Sequence, residues 1–365
     1  MQHTPQFVAG IVFATMLSLP ACAAPGGALG AAERSAVVQT VTTKMKANYI
    51  DPAVAERVAG AIARKNAQGG YSAATDMQAF GAALAKDLRT LSGDLHFDVR
   101  LDERFREDDS TGEYVPTQAE MDEARARIER AGFGIEKLER LPGNVGYIDV
   151  RSFRLPTFAG PAYTAAMSLM AGTDALILDL RRNGGGSPES VAYLMSHFFP
   201  LGVQRHLLDI YNRPENTTQQ VWTDPTVARR YDKPVYVLIS ARTASAGEDC
   251  AYDFQTQKRG TLVGETTAGA ANPVSPFSAG HGMVIFIPTA RVTNTVTKTN
   301  WEHVGVRPDV AVPAAQALQT AHVAILRTLV ASAQDEDARA QLRAALAMAE
   351  KGETPQPVYT PRAGR

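Results

Sequence analysis

The sequence has few of the features that mark several large classes of protein. It holds only two cysteines, Cys22 and Cys250, among 365 residues, and a chain of this length can bury a core without disulfide bonds. Acidic and basic residues nearly cancel, which leaves a formal net charge of −1. A protein of this charge has no basic field for phosphate groups, so we expect no nucleic-acid partner.

Cofactor signatures are lacking as well. The three glycines at 184–186 are not followed by the Gly-Lys-Ser/Thr of a phosphate-binding loop. Histidine, cysteine and acidic residues do not cluster at the sequence spacing of metal ligands. The sequence therefore predicts neither a cofactor nor a metal.

The N-terminus predicts export. Residues 7–19 form an apolar run with the length of a signal-peptide core, which is short for a transmembrane helix. Small residues follow and suit cleavage before Ala24, so residues 1–23 are predicted to be a signal peptide. The segment ending at Cys22 also resembles a bacterial lipobox, which would anchor the mature protein to a membrane through a lipid. We expect an exported, periplasmic protein, either soluble or a lipoprotein; the alternative is a buried N-terminal helix.

Hydrophobic patterning predicts two different units after this segment. Residues 53–65 and 76–91 carry apolar side chains at three- and four-residue spacing, which indicates a small helical N-terminal domain at 32–133. From residue 134 onward, short apolar runs alternate with helical patterns. This alternation is typical of an α/β fold with a mainly parallel sheet flanked by helices, predicted here for 134–315.

The C-terminal third carries further predicted elements. Two segments, an apolar one at 283–288 and the next at 290–297, are predicted to pair as a hairpin. Residues 316–351 are rich in alanine and leucine and predict a C-terminal helical region. Residues 352–365 predict a disordered tail.

Two turns of the predicted core have the composition of a ligand site. One contains Asn183 and the glycines 184–186 after a buried strand at 175–180; the other contains Ser245 after a buried strand at 235–240. Ligands bind at the carboxyl ends of parallel strands in such folds. Glycine amides there can contact an anion, and a serine there is either an exposed nucleophile or a helix N-cap. Gly-x-Ser-x-Gly is absent from this turn, so an ordinary α/β-hydrolase is not predicted.

The combination of the two turns resembles one protease superfamily. A strand ending Asp-Leu-Arg-x-Asn-Gly-Gly-Gly, then a strand followed by Thr-Ala-Ser-Ala-Gly-Glu, is similar to the C-terminal (tail-specific) processing proteases, the tricorn protease core and the interphotoreceptor retinoid-binding protein. Matches at 262–267 and 300–309 extend the resemblance to about 146–312. It implies a crotonase/ClpP-like catalytic core, with Ser245 as nucleophile. The oxyanion site is predicted from the amide of Ala246 and that of one glycine in the turn at 184–186, with Gly185 as the first choice.

The resemblance also distinguishes two branches. The processing proteases pair the serine with a downstream lysine, but residues 264–272 contain no lysine, and residues 101–144 are too short for the PDZ domain of those proteases. The tricorn and retinoid-binding-protein branch uses a histidine of an Asp-x-His motif as base and a downstream glutamate to orient it. His96 follows Asp94 at this spacing, and Glu302 matches the glutamate, which implies a Ser-His-Glu triad.

The resemblance leaves alternatives at three points. Leu95 stands where tricorn has a serine, so a fourth hydrogen-bonding group is supplied elsewhere or is missing. His281 and His303 are alternative bases. Retinoid-binding relatives carry hydrophobic ligands on the same fold, so a non-catalytic carrier is the alternative to a serine peptidase that acts on peptides or proteins.

Overall fold

The fold is described from a computed structural model, which places residues 29–107 and 117–353. The predicted signal peptide with Cys22, and residues 354–365 of the predicted tail, lie outside the described residues. The helices are, in chain order, α1 (Ala31–Asn48), α2 (Pro52–Ala67), α3 (Met77–Ser92), α4 (Gln118–Arg130), α5 (Pro156–Met170), α6 (Pro188–Ser196), α7 (Ala246–Thr256), α8 (Ala314–Ser332) and α9 (Glu336–Lys351). The strands are β1 (Asp98–Leu101), β2 (Ile135–Leu141), β3 (Val145–Val150), β4 (Ala175–Asp179), β5 (His206–Asn212), β6 (Thr217–Trp222), β7 (Val235–Ile239), β8 (Thr261–Gly264), β9 (Val274–Gly280), β10 (Met283–Pro288), β11 (Ala290–Asn294) and β12 (Val310–Ala311).

A six-stranded sheet forms the centre of the molecule, with the strand order β12-β8-β7-β4-β3-β2. The strands from β12 to β3 are parallel to one another, and β2 adds at one edge as an antiparallel strand. Every residue of β3 and β4 is buried, as expected for strands that are covered on both faces. The predicted α/β architecture with a mainly parallel sheet is confirmed.

Alternate residues of the central strands pack against opposite layers of helices, because successive side chains of a strand point to opposite faces. Ile148 and Leu178 belong to a core that also contains residues of α5, α6 and α7. Tyr147 and Ile177, their neighbours in sequence, pack instead with the buried face of α8. Both faces are therefore occupied, and the carboxyl edge of β4 and β7, which are adjacent, carries the two turns singled out in the sequence.

The N-terminal helices pack on a separate three-stranded sheet of order β1-β10-β9. Phe80 and Leu88 lie on the buried face of α3 and share a core with Ile285 of β10. The predicted helices of 32–133 are present, with β1 added to them, and β9 and β10 from the 134–315 segment complete their core. The division of the chain into domains stays a prediction.

The hairpin predicted for residues 283–288 and 290–297 is wrong. β10 pairs with β9 and β1, whereas β11 pairs with β5 in a sheet of order β11-β5-β6. Thr289 alone lies between Pro288 and Ala290, and a hairpin turn takes about two residues or more. The chain therefore passes directly from one sheet into another.

The predicted C-terminal helical region consists of two helices, α8 and α9. They are separated by residues 333–335, where Asp335 accepts a hydrogen bond from the N–H of Ala338 at 2.7 Å and so caps α9. Within residues 29–107 and 117–353, no helix is long and apolar enough to cross a membrane.

Candidate active site

Ser245 lies in a strained turn between β7 and α7. Its backbone has φ 55° and ψ −124°, a conformation that residues with a side chain rarely adopt and that costs on the order of 1–3 kcal/mol. Ser245 occupies the N-cap position, but its side chain makes no capping hydrogen bond. The N–H of Glu248 donates to the carbonyl oxygen of Ser245 instead, at 2.8 Å. The helix therefore does not engage the serine hydroxyl.

Two backbone amides beside Ser245 have no hydrogen-bond partner within the described part of the chain, those of Ala246 and Gly186. Ala246 is the first residue of α7, and Gly186 precedes Ser187, the N-cap of α6. Ser245, Ala246 and Gly186 line one cavity. Amides at helix starts carry partial positive charge, so this pair has the character of an oxyanion site.

Gly185, the oxyanion donor predicted from the sequence, has its amide engaged elsewhere, which corrects that prediction. Its N–H donates to Oδ1 of Asn183 at 2.8 Å, because an asparagine side chain readily folds back onto the backbone two residues on. Gly185 instead lies against the serine: a Cβ added to it would be 2.7 Å from the Cβ of Ser245. The three glycines do not show by themselves which amide is free. The side chain of the preceding Asn183 accepts the Gly185 N–H and so leaves the Gly186 amide without a partner among the described residues.

Gly186 is at a position that only glycine fits. Its φ is 141°, and an added Cβ would lie 1.9 Å from the carbonyl oxygen of Phe153. The backbone of Phe153 bonds to the residues before and after Gly186. Its N–H donates to the carbonyl oxygen of Gly185 at 2.9 Å, and its carbonyl oxygen accepts from the N–H of Ser187 at 2.8 Å. These two bonds fix the orientation of the Gly186 amide between them.

His96, Asp94 and Glu302 form a second group of polar side chains. One oxygen or nitrogen atom of each lies within 4.8 Å of those of the other two. Nδ1 of His96 is 3.3 Å from Oδ1 of Asp94, and the backbone N–H of His96 donates to the same oxygen at 3.0 Å. Both ring nitrogens of His96 and Oε1 of Glu302 are buried without a hydrogen-bond partner among the residues that the structure places. This set can transfer protons, and its geometry could also hold a metal ion. The sequence did not indicate such a site, because Glu302 is far along the chain from Asp94 and His96.

The two carboxyl groups of this set differ in their tendency to ionise. Burial alone would raise the pKa of Asp94. The close contact of the His96 ring, its charge and its backbone N–H, together with the Asn272 side chain, outweigh burial and hold that pKa below its usual value. Desolvation by burial, and then the charge of Asp94, raises the pKa of Glu302. Asp94 is therefore the carboxylate that keeps its charge more readily.

The loop at residues 267–272 is bonded to the serine turn through Glu248. The N–H groups of Gly269 and Ala270 donate to this fully buried carboxylate at 2.7 and 2.9 Å. Glu248 also accepts the backbone N–H of Ser245 at 2.9 Å. One side chain thus fixes both the strained serine and the first half of the loop.

The second half of the same loop is bonded to the histidine group. The N–H groups of Ala271 and Asn272 donate to Oε2 of Glu302 at 2.6 and 3.0 Å. The side chain of Asn272 donates to Oδ2 of Asp94 at 3.0 Å. Because Ala271 also lines the cavity beside Ser245, the loop lies between the two groups and sets their relative position.

The structure thus brings His96 together with Glu302, and Ser245 together with Ala246, on either side of this loop. Sequence reasoning gave no role to Glu248 or Asn272. Glu248 is the last residue of the Thr-Ala-Ser-Ala-Gly-Glu motif, and this position in the motif was the only sequence feature that could have indicated its role. Nothing in the sequence around Asn272 indicates its contact with Asp94, because that contact depends on the tertiary fold.

The other candidate residues lie at the margins of this site. His281 is exposed in the turn between β9 and β10. The side chain of His303 is 53% exposed, with Nδ1 3.6 Å from Oε1 of Glu302 and 3.1 Å from the carbonyl oxygen of Gly93. Leu95 is half exposed. His303 is accordingly a rim residue, and His281 is separate from the group around His96.

Comparison with known proteins places the chain in a family. The profile described as Peptidase family S41 matches residues 144–312. The profile described as the N-terminal domain of Peptidase_S41 in eukaryotic IRBP matches residues 31–139. The chain belongs to peptidase family S41, and the second match agrees with the branch indicated by the sequence motifs.

Individual relatives agree with this assignment. The chloroplastic carboxyl-terminal-processing peptidase 2 of Arabidopsis thaliana is 31% identical over 192 residues, which are 48% of this chain and 35% of that protein. The carboxyl-terminal-processing protease of Synechocystis sp. is 29% identical over 201 residues, 55% of this chain and 45% of that protein. The chain spans less than half the length of either relative. A solved structure of a putative peptidase from Parabacteroides merdae covers 77% of this chain and 90% of its own, with a TM-score of 0.52 and 18% identity, a likeness of fold.

Proposed function

We propose that this protein is an exported serine peptidase that hydrolyses peptide bonds of peptide or protein substrates through an acyl-enzyme. Ser245 is the nucleophile, His96 the general base and Glu302 the carboxylate that orients it. The observation that carries the proposal is the serine turn, where a strained backbone places Ser245 beside the amides of Ala246 and Gly186, which have no partner among the described residues. Strain of this kind persists where the surrounding structure enforces it, typically at functional sites.

The reaction uses the groups in the following way. Nδ1 of His96 faces Asp94, which leaves Nε2 to accept the proton of the Ser245 hydroxyl. The serine oxygen bonds to the carbonyl carbon of the substrate, and the amides of Ala246 and Gly186 bind the oxyanion that forms. His96 then gives the proton to the leaving amine as the C–N bond breaks. Water, activated by the same imidazole, hydrolyses the ester and restores the serine.

Two carboxylates support the histidine in this scheme. Asp94 lies 3.3 Å from the ring and holds the backbone of His96. Glu302 presents a buried oxygen, Oε1, that makes no hydrogen bond within the described residues. The imidazolium that forms during the reaction gains from both negative charges. Asn272 fixes Asp94, and we assign to this pair the additional hydrogen-bonding role left open by Leu95.

The cavity beside Ser245 is small for a carrier of hydrophobic ligands, which favours the peptidase at this site. The cavity beside Ser245 has a volume of about 40 Å³, whereas sites for drug-sized ligands hold about 300–1,000 Å³. A carrier also has no need for the strained serine turn.

Labelling with a fluorophosphonate tests the proposal without knowledge of the substrate. Wild-type protein should be labelled at Ser245, and Ser245→Ala should not. His96→Ala and Glu302→Gln should label slower, by about 10²–10⁴-fold for loss of the base. His281→Ala, in the exposed turn between β9 and β10, is the matched control and should label at the wild-type rate. Unchanged labelling of His96→Ala would refute the assigned base, and absence of labelling in the wild type at every pH would favour the carrier.

Export is part of the same proposal and rests on the predicted signal peptide at residues 1–23. Mass spectrometry of the protein purified from its native host should find a chain that begins at Ala24, or a lipid on an N-terminal Cys22. Recovery of a chain that retains residue 1 would contradict export.

A further inference from the structure

A row of carboxyl groups runs along the face of α7 that begins at the nucleophile. Asp249 and Asp253 follow Ser245 at intervals of four residues, and residues so spaced lie on one helix face with Cβ atoms roughly 5–6 Å apart. Asp249 lines the cavity beside Ser245, and so does Glu189 from the first turn of α6. Two acidic side chains therefore face the cavity, and Asp253 lies one turn further along the helix.

The carboxyl group of Asp249 forms no hydrogen bond or ion pair with the residues that the structure describes. The residue is 3% exposed, and its Oδ1 is buried without a hydrogen bond to any described residue; Oδ2 of Asp253 is in the same condition. Burial, and then the charge of Glu189, raises the pKa of Asp249 well above its usual value. A buried acid without a hydrogen bond is costly, and such groups normally find a donor or a cation.

No cation of the described chain serves this purpose. None of the ion pairs in residues 29–107 and 117–353 includes Glu189, Asp249 or Asp253. Glu189 accepts from the hydroxyl of Ser187 at 2.5 Å and from the side chain of Gln219 at 3.3 Å, so it is satisfied as an acceptor, although no described cation pairs with it. The cavity is the route by which a compensating cation can reach Asp249.

The other walls of the cavity restrict the shape of that cation. Leu208, Val292 and Trp301 supply apolar surface. The volume of about 40 Å³ has room for roughly three water molecules. A narrow space with apolar walls and carboxyl groups suits an unbranched methylene chain that ends in an ammonium group, since the methylenes bury against the walls and the ammonium donates to the carboxylates.

We infer that this cavity binds a lysine side chain of the substrate, at the residue whose carbonyl carbon Ser245 attacks, and that Asp249 selects it with the help of Glu189. The inference rests on the proposed peptidase function and adds the class of substrate to it. The ammonium takes the place of the proton that burial favours on Asp249; that proton passes to solvent as the substrate binds, and Asp249 and the ammonium form an ion pair. This places the acidic residues of α7 in substrate selection, separate from the proton transfers at His96.

The first test compares peptides that differ only at the residue before the cleaved bond. Lysine and norleucine have the same unbranched carbon chain, but norleucine lacks the ammonium group, so the ratio of their kcat/KM values isolates the charge. We expect lysine to be preferred by about tenfold or more, as for a hydrogen bond between charged groups. Asp249→Asn should bring the ratio close to one, and the exposed Asp337→Asn in α9 should leave it unchanged. Preference for norleucine in the wild type, or an unchanged ratio in Asp249→Asn, overturns the inference.

The second test measures binding without hydrolysis. Ser245→Ala should bind the lysine peptide about tenfold or more tightly than the norleucine peptide in a calorimetric titration. Equal affinity for the two peptides, including no binding of either, overturns the inference whether or not the wild type is active. The proposed peptidase function fails on a different result, the absence of fluorophosphonate labelling of wild-type Ser245.

Discussion

Replacement of Glu248 by glutamine measures how strongly the serine turn is held. The carboxylate is fully buried and accepts hydrogen bonds from four donors: the N–H groups of Ser245, Gly269 and Ala270 and the hydroxyl of Thr267. Glutamine keeps the shape of the side chain and one oxygen. Its second terminal atom becomes an NH2 group, which donates where the carboxylate accepted.

The cost follows from the partners of the two carboxylate oxygens. With its oxygen in the Oε2 position, glutamine keeps the bonds from Ser245 and Ala270. The NH2 group then faces the hydroxyl of Thr267, which can turn to accept, and the N–H of Gly269, which cannot. One buried donor left unpaired costs about 1–3 kcal/mol of unfolding free energy. Glu248→Ala leaves all four donors unpaired, so its loss should be larger, on the order of 4 kcal/mol.

Urea unfolding, followed by tryptophan fluorescence, gives both values. Glu123→Gln, an exposed position in α4, is the matched control and should change the unfolding free energy by no more than about 0.5 kcal/mol. The reasoning fails if both Glu248 variants fall within that margin of the wild type, or if glutamine destabilises the protein more than alanine does.

Two further predictions concern other parts of the structure. Gly186→Ala should lower the rate of labelling and of peptide hydrolysis by about a hundredfold, because its Cβ would displace the oxyanion amide, whereas Gly184→Ala, which meets no atom within 4 Å, should retain the wild-type rate. Desolvation by burial lowers the pKa of His197 from 6.5 to about 4, so the ring is neutral in the folded state and takes up a proton more readily in the unfolded one. Stability should therefore be fully present above pH 6.5 and fall by about 3 kcal/mol towards pH 4; unfolding titrations of His197→Gln that show the same loss would contradict this.

The central sheet and the serine turn could be predicted because their signals are local. The strands at 175–179 and 235–239 are buried on both faces, so each is a continuous apolar run bounded by turn residues. The turns after them occur at the carboxyl edge of a parallel sheet, which is where a nucleophile and its amide donors are expected. Ser245 and Ala246 therefore lie where the sequence places them.

The error at Gly185 has a different origin. Three consecutive glycines offer three amides of equal sequence signal, and their partners depend on the side chain of Asn183 and on the carbonyl oxygen of Phe153. Phe153 lies in a separate segment that the motif does not include. The choice of donor is thus a tertiary property, and sequence analysis could narrow it only to the run.

The sequence did not predict strand β1, and it predicted the wrong hairpin for β10. Both errors come from the pairing of β10 with β1 and β9, which also positions His96. β1 and β9 both pair with β10 in antiparallel register, so they are parallel to each other and begin at the same end of the sheet. Asp98 lies opposite Phe286, and Phe286 lies opposite Pro276. Residues that precede Asp98 and Pro276 by equal steps are therefore brought to one level across β10, and Asp94 and Asn272 are each four residues before them.

The hydrogen bond between these two side chains, at 3.0 Å, is thus a consequence of strand register rather than of any motif. It fixes the Asp-x-His segment to the loop whose other amides bind Glu302 and Glu248. A slip of one residue in a strand reverses the face of every side chain in it, and such a slip in β1 would also shift the preceding segment with Asp94 and His96 relative to Asn272. The placement of the proposed base on the N-terminal unit therefore depends on β10, a strand that the chain contributes from the α/β segment nearly at its end.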